Sequence, residues 1–385
     1  MRVRLILDDA TTQTEGDRLR TAGIPVITDG FGQNDGAFGL HHNKFVVVDR
    51  GSTDPTRAWT MTGSWNPTDS GTTGNFQNVV WIQDGALAGA FTAEFEQMWG
   101  SQTATPDPAQ ARFHRRKTLV APTTFWIGDV YTRLVFSPQG EGRFGTVEAV
   151  VVEALESADF EIALNLNLVT RSAYVDAARA RFDAGVQVRA AIGDVGTTGS
   201  VFAPLDAFAD AYAFPSTTLG LLHHKVGIID AQHPASDPTV VTGSFNWSRS
   251  ANEDNNENAL VLHSAAVANL YLQEFAARYA QAGGVGTFPT GADGAAGAGV
   301  FALSAPAPNP ARGAARVTLT LPEAGALDVR LFNVLGQEVA QVAQGDTAAG
   351  AHALTVDTSG LAAGVYVLRA THGAVSATRR ITVVR

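Results

Sequence analysis

Residues 223–246 read HHKVGIIDAQHPASDPTVVTGSFN, and residues 42–66 read HNKFVVVDRGSTDPTRAWTMTGSWN. Both stretches begin with His-x-Lys, run through apolar residues to an aspartate, and end in Gly-Ser-x-Asn. The histidine and the asparagine are 24 residues apart in residues 42–66 and 23 apart in residues 223–246. A pattern repeated at such similar spacing indicates an internal duplication. We therefore expect two similar α/β lobes.

The segments that precede the two stretches are unequal. In the second copy, apolar spacing predicts a helix over 146–157, a strand over 160–168, a helix over 172–183 and a strand over 187–192. In the first copy only the last of these strands has a counterpart, at residues 3–9. We therefore expect the first lobe to be N-terminally incomplete.

The paired His-x-Lys triplets carry the candidate chemistry. Side chains at i and i+2 of a strand share a face, so His42 points with Lys44 and His223 with Lys225. His41 and His224 are one step out of phase and should face away. Histidine can attack phosphorus as a neutral base or donate a proton as imidazolium near neutral pH. Cleavage of a phosphodiester needs both acts, one on each side of the phosphorus.

The remaining polar groups of the repeat suit an oxyanion. The lysine ammonium groups, the amides of Asn66 and Asn246, and the hydroxyls of Ser64 and Ser244 can bind non-bridging phosphate oxygens. Such a site requires no metal ion and no cofactor. Trp65, Phe245 and Trp247 flank the asparagines, and either the mouth of a substrate site or ordinary packing would explain them.

The repeated motifs resemble those of the phospholipase D superfamily over residues 1 to about 282. The resemblance implies two α/β/α lobes with mixed sheets, packed as a pseudo-dimer with the active site at their interface. It also implies a covalent phosphohistidine, with His42 as the nucleophile and His223 as the general acid. Asp49 and Asp230 belong to the motif and are predicted to have a structural role at the strand end.

The family often has an acidic residue eleven positions after the motif asparagine, hydrogen-bonded to a catalytic histidine. Glu257 stands at that position in the second copy, whereas the first copy has Gln77. A carboxylate raises the pKa of a neighbouring imidazolium, while a neutral amide only orients the ring. The two histidines should therefore differ in role, with the better-supported acid near Glu257.

The C-terminal part of the chain is different in character. Residues 283–303 are rich in Gly, Ala and Pro and predict a flexible linker. Alternating apolar residues beyond it predict a small all-β sandwich over 304–385. Pro308-Asn309-Pro310, the stretches 331–339 and 361–369, and the basic end at Arg385 resemble the sorting domain of the type IX secretion system. The resemblance implies a secretion-machinery partner and a secreted or cell-surface location. The lobes are expected over 1–115 and 125–282.

Composition narrows the choice of substrate. The formal net charge is −10, and residues 301–385 contribute about +2 of it, so the preceding part carries about −12. Such a body favours a phospholipid or another small phosphodiester over nucleic acid, because polyanion binding depends on basic contacts. An extracellular nuclease and an inactive binding protein remain alternatives.

The sequence predicts that the chain has no transmembrane segment and that it is a monomer. Of the three lysines, two lie in the motifs, and the Arg115-Arg116-Lys117 run predicts a solvated connector.

Overall fold

The computed structural model describes residues 3–9, 13–31, 39–121, 123–139, 146–286, 288, 301–304, 306–333, 337–373 and 375–385. Contacts divide the chain into two compact units. One comprises Met1–Ile229, Val240–Leu262 and Tyr271–Thr287, and the other Asp230–Thr239, His263–Leu270 and Phe288–Arg385. Most of the predicted linker, residues 287 and 289–300, lies outside the described residues.

The second copy of the repeat builds one eight-stranded mixed sheet. Its elements are β7 (Thr124–Ile127), β8 (Val130–Ser137), α4 (Thr146–Glu156), β9 (Glu161–Leu166), α5 (Ser172–Asp183), β10 (Gln187–Ile192), α6 (Phe202–Asp206), β11 (Asp210–Ala213), α7 (Ser216–Leu219), β12 (Leu221–Leu222), β13 (Lys225–Ile229), β14 (Thr239–Gly243), α8 (Arg249–Glu253), β15 (Glu257–His263) and α9 (Ala265–Gln281). The strand order is β11-β10-β9-β13-β14-β15-β8-β7, with β9 parallel to β10 and antiparallel to β13. The helices and strands predicted between 146 and 192 are confirmed to within two residues.

Burial explains why this sheet forms. Every residue of β9, β13 and β14 is buried, as expected of strands covered on both faces. Apolar residues of α4 and α5, including Val151, Leu155 and Tyr174, join the core cluster that covers the sheet. Two-sided cover keeps the strand ends rigid, and these ends carry the second His-x-Lys triplet and the second Gly-Ser-x-Asn.

The first copy builds smaller sheets. Its elements are β1 (Leu5–Leu7), α1 (Gln13–Thr21), β2 (Val26–Thr28), β3 (Phe45–Val48), β4 (Trp59–Gly63), α2 (Asp69–Thr73), β5 (Asn75–Phe76), β6 (Val79–Gln83) and α3 (Gly85–Trp99), with short 3-10 helices at Asp29–Phe31, Pro55–Arg57 and, beyond α3, His114–Arg116. β1 pairs with β2 in parallel, while β3, β4 and β6 form a separate antiparallel sheet. Within the described part of the chain, no helix is both long and apolar enough to cross a bilayer.

The two lobes differ at the position of β9. In the second lobe β9 joins β10 to β13, whereas the described residues of the first lobe place no strand between β1 and β3. A groove of about 1090 Å³ lies there, lined by both strands and by α3.

One face of the β3-β4-β6 sheet is also exposed. This apolar face consists of Val46, Val48, Trp59, Val79 and Trp81, which the strand register places on one side.

The C-terminal residues form antiparallel sheets around their own core, as the sequence predicts. The strands are β16 (Ala302–Leu303), β17 (Ala307–Arg312), β18 (Ala314–Leu321), β19 (Gly325–Asn333), β20 (Glu338–Thr347), β21 (Gly350–Asp357), β22 (Gly364–His372) and β23 (Val375–Val383). β18 pairs with β16, β17 and β21, and β22 pairs with β19 and β23. Alternate residues such as Leu319, Leu331 and Leu368 are fully buried in one cluster, as in a β-sandwich.

Candidate active site

Each His-x-Lys triplet lies against the other copy of the repeat. The backbone N–H of His42 donates to the carbonyl of Asn256 at 3.1 Å, and that of His223 donates to the carbonyl of Phe76 at 2.9 Å. Asn256 and Phe76 directly precede Glu257 and Gln77. These equivalent bonds relate the lobes by a pseudo-twofold arrangement, in which the same surface of each copy is used. They bring His42 beside Glu257 and His223 beside Gln77.

Glu257 supports His42 across this interface. The Nδ1 of His42 lies 2.8 Å from both carboxylate oxygens of Glu257, which is fully buried. Because a carboxylate only accepts hydrogen bonds, Nδ1 carries a proton and Nε2 is left for chemistry. Burial lowers the pKa of His42, and the charge of Glu257 opposes that shift. Burial alone would raise the pKa of Glu257, but His42, Lys44 and a bond from Ser244 outweigh it and lower that pKa.

Gln77 supports His223 in the equivalent way. The Nδ1 of His223 lies 2.8 Å from Oε1 of Gln77 and 3.1 Å from the carbonyl of Ser64, and both atoms are acceptors. His223 therefore also carries its proton on Nδ1. Burial lowers the pKa of His223 to about 2, and the charges of Lys225, Lys44 and His42 contribute. The sequence placed the better-supported acid near Glu257, but Glu257 contacts His42, the predicted nucleophile.

The two lysines share one pocket with the histidines. Lys44 Nζ donates to the carbonyl of His42 at 2.8 Å, and Lys225 Nζ donates to the carbonyl of His223 at 3.0 Å. Lys225 Nζ also lies 3.4 Å from Nε2 of His223. Burial lowers the pKa of Lys44 to about 8, while burial and the charge of Lys44 hold the pKa of Lys225 well below its usual range. The charge of Lys44 destabilises the ammonium of Lys225, and Glu257 only partly offsets this. A bound anion would stabilise both ammonium groups.

The serines of Gly-Ser-x-Asn donate their hydroxyl hydrogens within the protein. Ser244 Oγ donates to Glu257 at 2.7 Å, and Ser64 Oγ donates to Oδ1 of Asn78 at 3.1 Å. Both side chains are fully buried, and each hydroxyl also accepts a backbone N–H, from Asn258 and from Asn78. Ser244 thus supports Glu257, the partner of His42, while Ser64 supports Asn78, the residue after Gln77. That these hydroxyls bind phosphate oxygens stays a prediction.

The asparagines of the motif stay close to the site and start the helices that follow it. Asn66 and Asn246 come two residues before Thr68 and Ser248, whose hydroxyls accept from the N–H of Gly71 and Ala251 and cap α2 and α8. Among the described residues, the buried Oδ1 of Asn246 has no hydrogen-bond partner. This oxygen only accepts hydrogen bonds, so binding of a phosphate oxygen by the motif asparagines would use the amide N–H groups.

Asp49 and Asp230 end β3 and β13. Both adopt the left-handed backbone, with φ of 51° and 52°, which suits aspartate better than most residues. Asp49 accepts a hydrogen bond from Arg57 at 3.0 Å, and Asp230 accepts one from Ser236 at 2.7 Å. These local contacts support the structural role that the sequence predicts for both residues.

The aromatic residues beside the motif asparagines mostly belong to the core. Phe245 and Trp247 are 2% and 1% exposed and lie in the second lobe's apolar cluster, which excludes them from a substrate mouth. Trp65 is half-buried, and its indole N–H donates to Thr72. An open aromatic next to the motif therefore remains only in the first lobe.

Lys117 contradicts the prediction of a solvated connector. It is 2% exposed and pairs with Glu94, which is 1% exposed. Its ammonium also donates to the carbonyl of Ser137 at 2.9 Å. A buried charge needs such partners, and the preceding His114 is buried as well. His114 and Lys117 are therefore core residues, whereas Arg115 and Arg116 are exposed, as predicted for a solvated connector.

A group of carboxylates lies outside the paired motifs. Oxygens of Asp8, Asp9 and Asp29 come within 4.8 Å of one another, although the sequence suggested no such clustering. Asp29 already binds the backbone N–H of Asp9 at 2.9 Å and Nε2 of His114 at 3.2 Å. These bonds give the cluster a structural explanation.

Sequence reasoning missed a second layer of the site. Asn78 and Asn258 follow directly after Gln77 and Glu257, and their side chains contact Thr242 and Thr62 of the opposite copies. All four residues occupy equivalent positions in the duplication. Aligning the copies beyond the motif would have revealed the shared residue types, but not the crossed contacts.

Comparison with known families agrees with this geometry. A family model described as cardiolipin synthase, PLD-like domain, matches residues 1–99 and 151–279, which is more than half of the chain. The chain belongs to this phospholipase D-like family. A second model, described as a secretion system C-terminal sorting domain, matches residues 307–384.

Curated relatives cover only parts of the chain. The mitochondrial cardiolipin hydrolase of Xenopus tropicalis is 32% identical over 120 residues, which are 30% of this chain and 49% of the relative. The phospholipase D of Rickettsia bellii is 41% identical over 64 residues, which are 17% of this chain and 29% of the relative. The chain thus spans about half or less of these relatives.

Solved structures show partial likeness. Nuc from Salmonella typhimurium, described as a phospholipase D family member, is 26% identical with a TM-score of 0.33 and covers 40% of this chain and 96% of its own. The phosphatidylserine synthase of Haemophilus influenzae is 10% identical with a TM-score of 0.49 and covers 72% of this chain and 73% of its own.

Proposed function

We propose that this chain is a secreted, metal-independent phosphodiesterase that hydrolyses the head-group ester of a phospholipid. The crossed support of the two histidines carries the proposal, because Glu257 and Gln77 orient two imidazole rings that feel the charges of Lys44 and Lys225. Membership of the phospholipase D-like family supports the reaction class. The C-terminal sorting-domain match supports secretion or attachment at the cell surface.

The partners of the histidines favour His42 as the nucleophile. When Nε2 of His42 bonds to phosphorus, positive charge builds on the ring, and the carboxylate of Glu257 stabilises it. A proton donor benefits from the opposite setting. Gln77 holds the ring of His223 without stabilising its charge, so an imidazolium formed there releases its proton readily. The negative charge of a bound phosphodiester would raise the pKa of His223 and so favour its protonated form, with the proton taken from water.

Two balanced steps complete the reaction. In the first, Nε2 of His42 attacks phosphorus, the bond to the leaving oxygen breaks, and His223 gives that oxygen a proton. In the second, water loses a proton to His223 and attacks phosphorus, and the P–N bond breaks to free His42. Lys44, Lys225 and the motif asparagines bind the non-bridging oxygens throughout.

Phospholipid is preferred to nucleic acid on two grounds. The charge of about −12 before residue 301 opposes a long polyanion, and the curated relatives include proteins named cardiolipin hydrolase and phospholipase D. Assays should follow phosphatidate release from cardiolipin and phosphatidylcholine vesicles and, in parallel, degradation of single-stranded DNA. Faster turnover of DNA than of either lipid would overturn the substrate assignment.

The site assignment predicts loss of activity in His42→Ala and His223→Ala. Each should lower kcat by about 10³-fold or more with excess chelator present. His42→Ala removes the nucleophile, and His223→Ala removes the group that transfers the proton. His352→Ala, in β21, is the control and should keep wild-type turnover. Near-normal rates in either variant would disprove the assignment, and complete loss of wild-type activity on chelation would disprove the metal-free mechanism.

An activated substrate separates the two roles. A p-nitrophenyl phosphodiester has a leaving group that needs no proton, so His223→Ala should still release one equivalent of p-nitrophenol in a burst. His42→Ala should give no burst. The reverse pattern would show that His223 is the nucleophile.

A further inference from the structure

Asn78 and Asn258 make crossed contacts that tie each motif to the opposite lobe. Asn258 Oδ1 accepts from Thr62 Oγ1 at 2.7 Å, and Asn78 Nδ2 donates to Thr242 Oγ1 at 2.8 Å. Thr62, Thr242 and Asn258 are essentially inaccessible to solvent. The same residue types thus meet twice across the pseudo-twofold arrangement.

The asparagines also hold the middle residue of the opposite His-x-Lys triplet. Asn258 Nδ2 donates to Oδ1 of Asn43 at 3.0 Å. In the other half, His224 Nδ1 lies 3.1 Å from Oδ1 of Asn78. Asn43 stands between His42 and Lys44, and His224 between His223 and Lys225. Asn43 and His224 face away from the site. Their bonds to the two asparagines therefore hold the triplets that carry the site's histidines and lysines.

The first half adds a link to the backbone. Thr62 Oγ1 lies 2.9 Å from the carbonyl oxygen of Lys44, besides its contact with Asn258. The second half uses Tyr271 instead, because Asn78 Nδ2 lies 3.2 Å from its hydroxyl. Both asparagines also touch the motif serine of their own copy. Each asparagine is thus bonded to both lobes at once.

We propose that Asn78 and Asn258 are positioning residues that set the separation and orientation of the two catalytic histidines by clamping the middle residue of each opposite His-x-Lys triplet. This inference rests on the proposed function. Attack on phosphorus is in line only when Nε2 of His42 lies on one side of it and Nε2 of His223 contacts the leaving or attacking oxygen on the other side, and a displacement of about 1 Å costs about 10²-fold in rate. The clamp therefore acts mainly on the chemical step.

The decisive experiment compares two isosteric changes on the same strand. Thr62→Val removes the hydroxyl that bonds Asn258, whereas Thr60→Val removes a buried hydroxyl with no partner among the described residues. Thr62→Val should lower kcat by at least tenfold and change KM less than twofold, below the unfolding temperature of both variants. Thr60→Val should keep the wild-type values. Equal kcat in the two variants would overturn the proposal.

Exchange at the middle position gives the rescue test. Asn258→Leu should lower kcat by about 10²-fold, and Asn43→Leu should do the same. Asn43→His copies the residue found in the other half and can still bond the Asn258 amide, so it should recover at least a third of wild-type kcat. A His variant as slow as the Leu variant would contradict the clamp.

The outcomes also separate this inference from the function it builds on. A wild-type chain that cleaves neither phospholipid nor p-nitrophenyl phosphodiester disproves the proposed function. An active wild type whose Thr62→Val and Asn258→Leu variants keep full kcat disproves only the clamp. Loss of thermal stability in Thr62→Val with unchanged kcat shows a merely structural role and likewise disproves it.

Discussion

Lys44 carries its charge in a buried pocket, and its surroundings decide the pH range over which it does so. Burial lowers its pKa to about 8. The ammonium is positive below that pKa and neutral above it, so the contribution of Lys44 to anion affinity is present below about pH 8 and is lost as the pH rises further. Tungstate binding measured by calorimetry should weaken about tenfold per pH unit above that point, following one lost charge. Affinity that stays constant to pH 10 would contradict this.

Lys44→Met provides the control for this titration. The variant has no ammonium at this position, so its weaker tungstate affinity should be nearly constant between pH 7 and 9. A remaining dependence in the variant would assign the titration to another group, with Lys225 the first to be tested.

At the scale of elements, the glycines of the motif let two strands approach closely. Gly243 has a φ of +135°, and a Cβ there would lie 2.4 Å from the carbonyl oxygen of Asn258. Gly63 is alike, with a φ of +149° and 2.2 Å to the carbonyl of Asn78. Gly243 therefore brings Ser244 beside β15, which begins with Glu257. Gly63 brings Ser64 beside Asn78, which follows Gln77 and precedes β6.

Gly243→Ala should be severely destabilising. An alanine must leave this backbone conformation or push β15 away, and we expect about 3 kcal/mol or more from strain and overlap together. Urea denaturation measures the loss. Gly51→Ala, where a Cβ meets nothing within 4 Å, should change the free energy of unfolding by less than about 0.5 kcal/mol. A similar effect of both changes would contradict the role given to Gly243.

The elements and the site could be predicted to different depths. The repeat identifies the candidate site residues, and strand periodicity predicts that His41 and His224 face away from the site. The crossing of Glu257 to His42 could not be predicted, because nothing in one copy records which face of the other it meets. Burial of Lys117 was also missed, and the choice between packing and a substrate mouth stayed open for Trp247, since a short local pattern does not show what covers a side chain.

At the scale of the whole molecule, the apolar face of the β3-β4-β6 sheet should affect solubility. Trp81 is 52% exposed and lies beside four other exposed apolar side chains. Contiguous exposed apolar surface promotes association, so Trp81→Ser should reduce the binding of a hydrophobic dye and the aggregated fraction in light scattering. Val285→Ser, at an isolated position that is 87% exposed, should change neither. An unchanged dye signal in Trp81→Ser would show that the face is covered in solution.

The reciprocal support of the histidines bears on how the two halves could diverge. In a symmetric dimer of single-copy subunits, one codon would specify both histidine partners, so an exchange of Glu for Gln would strike both half-sites together. In a duplicated chain two codons specify them, and each half-site draws its partner from the other repeat. Gln77 and Glu257 record this freedom, because a fused chain can keep a carboxylate for one histidine and an amide for the other.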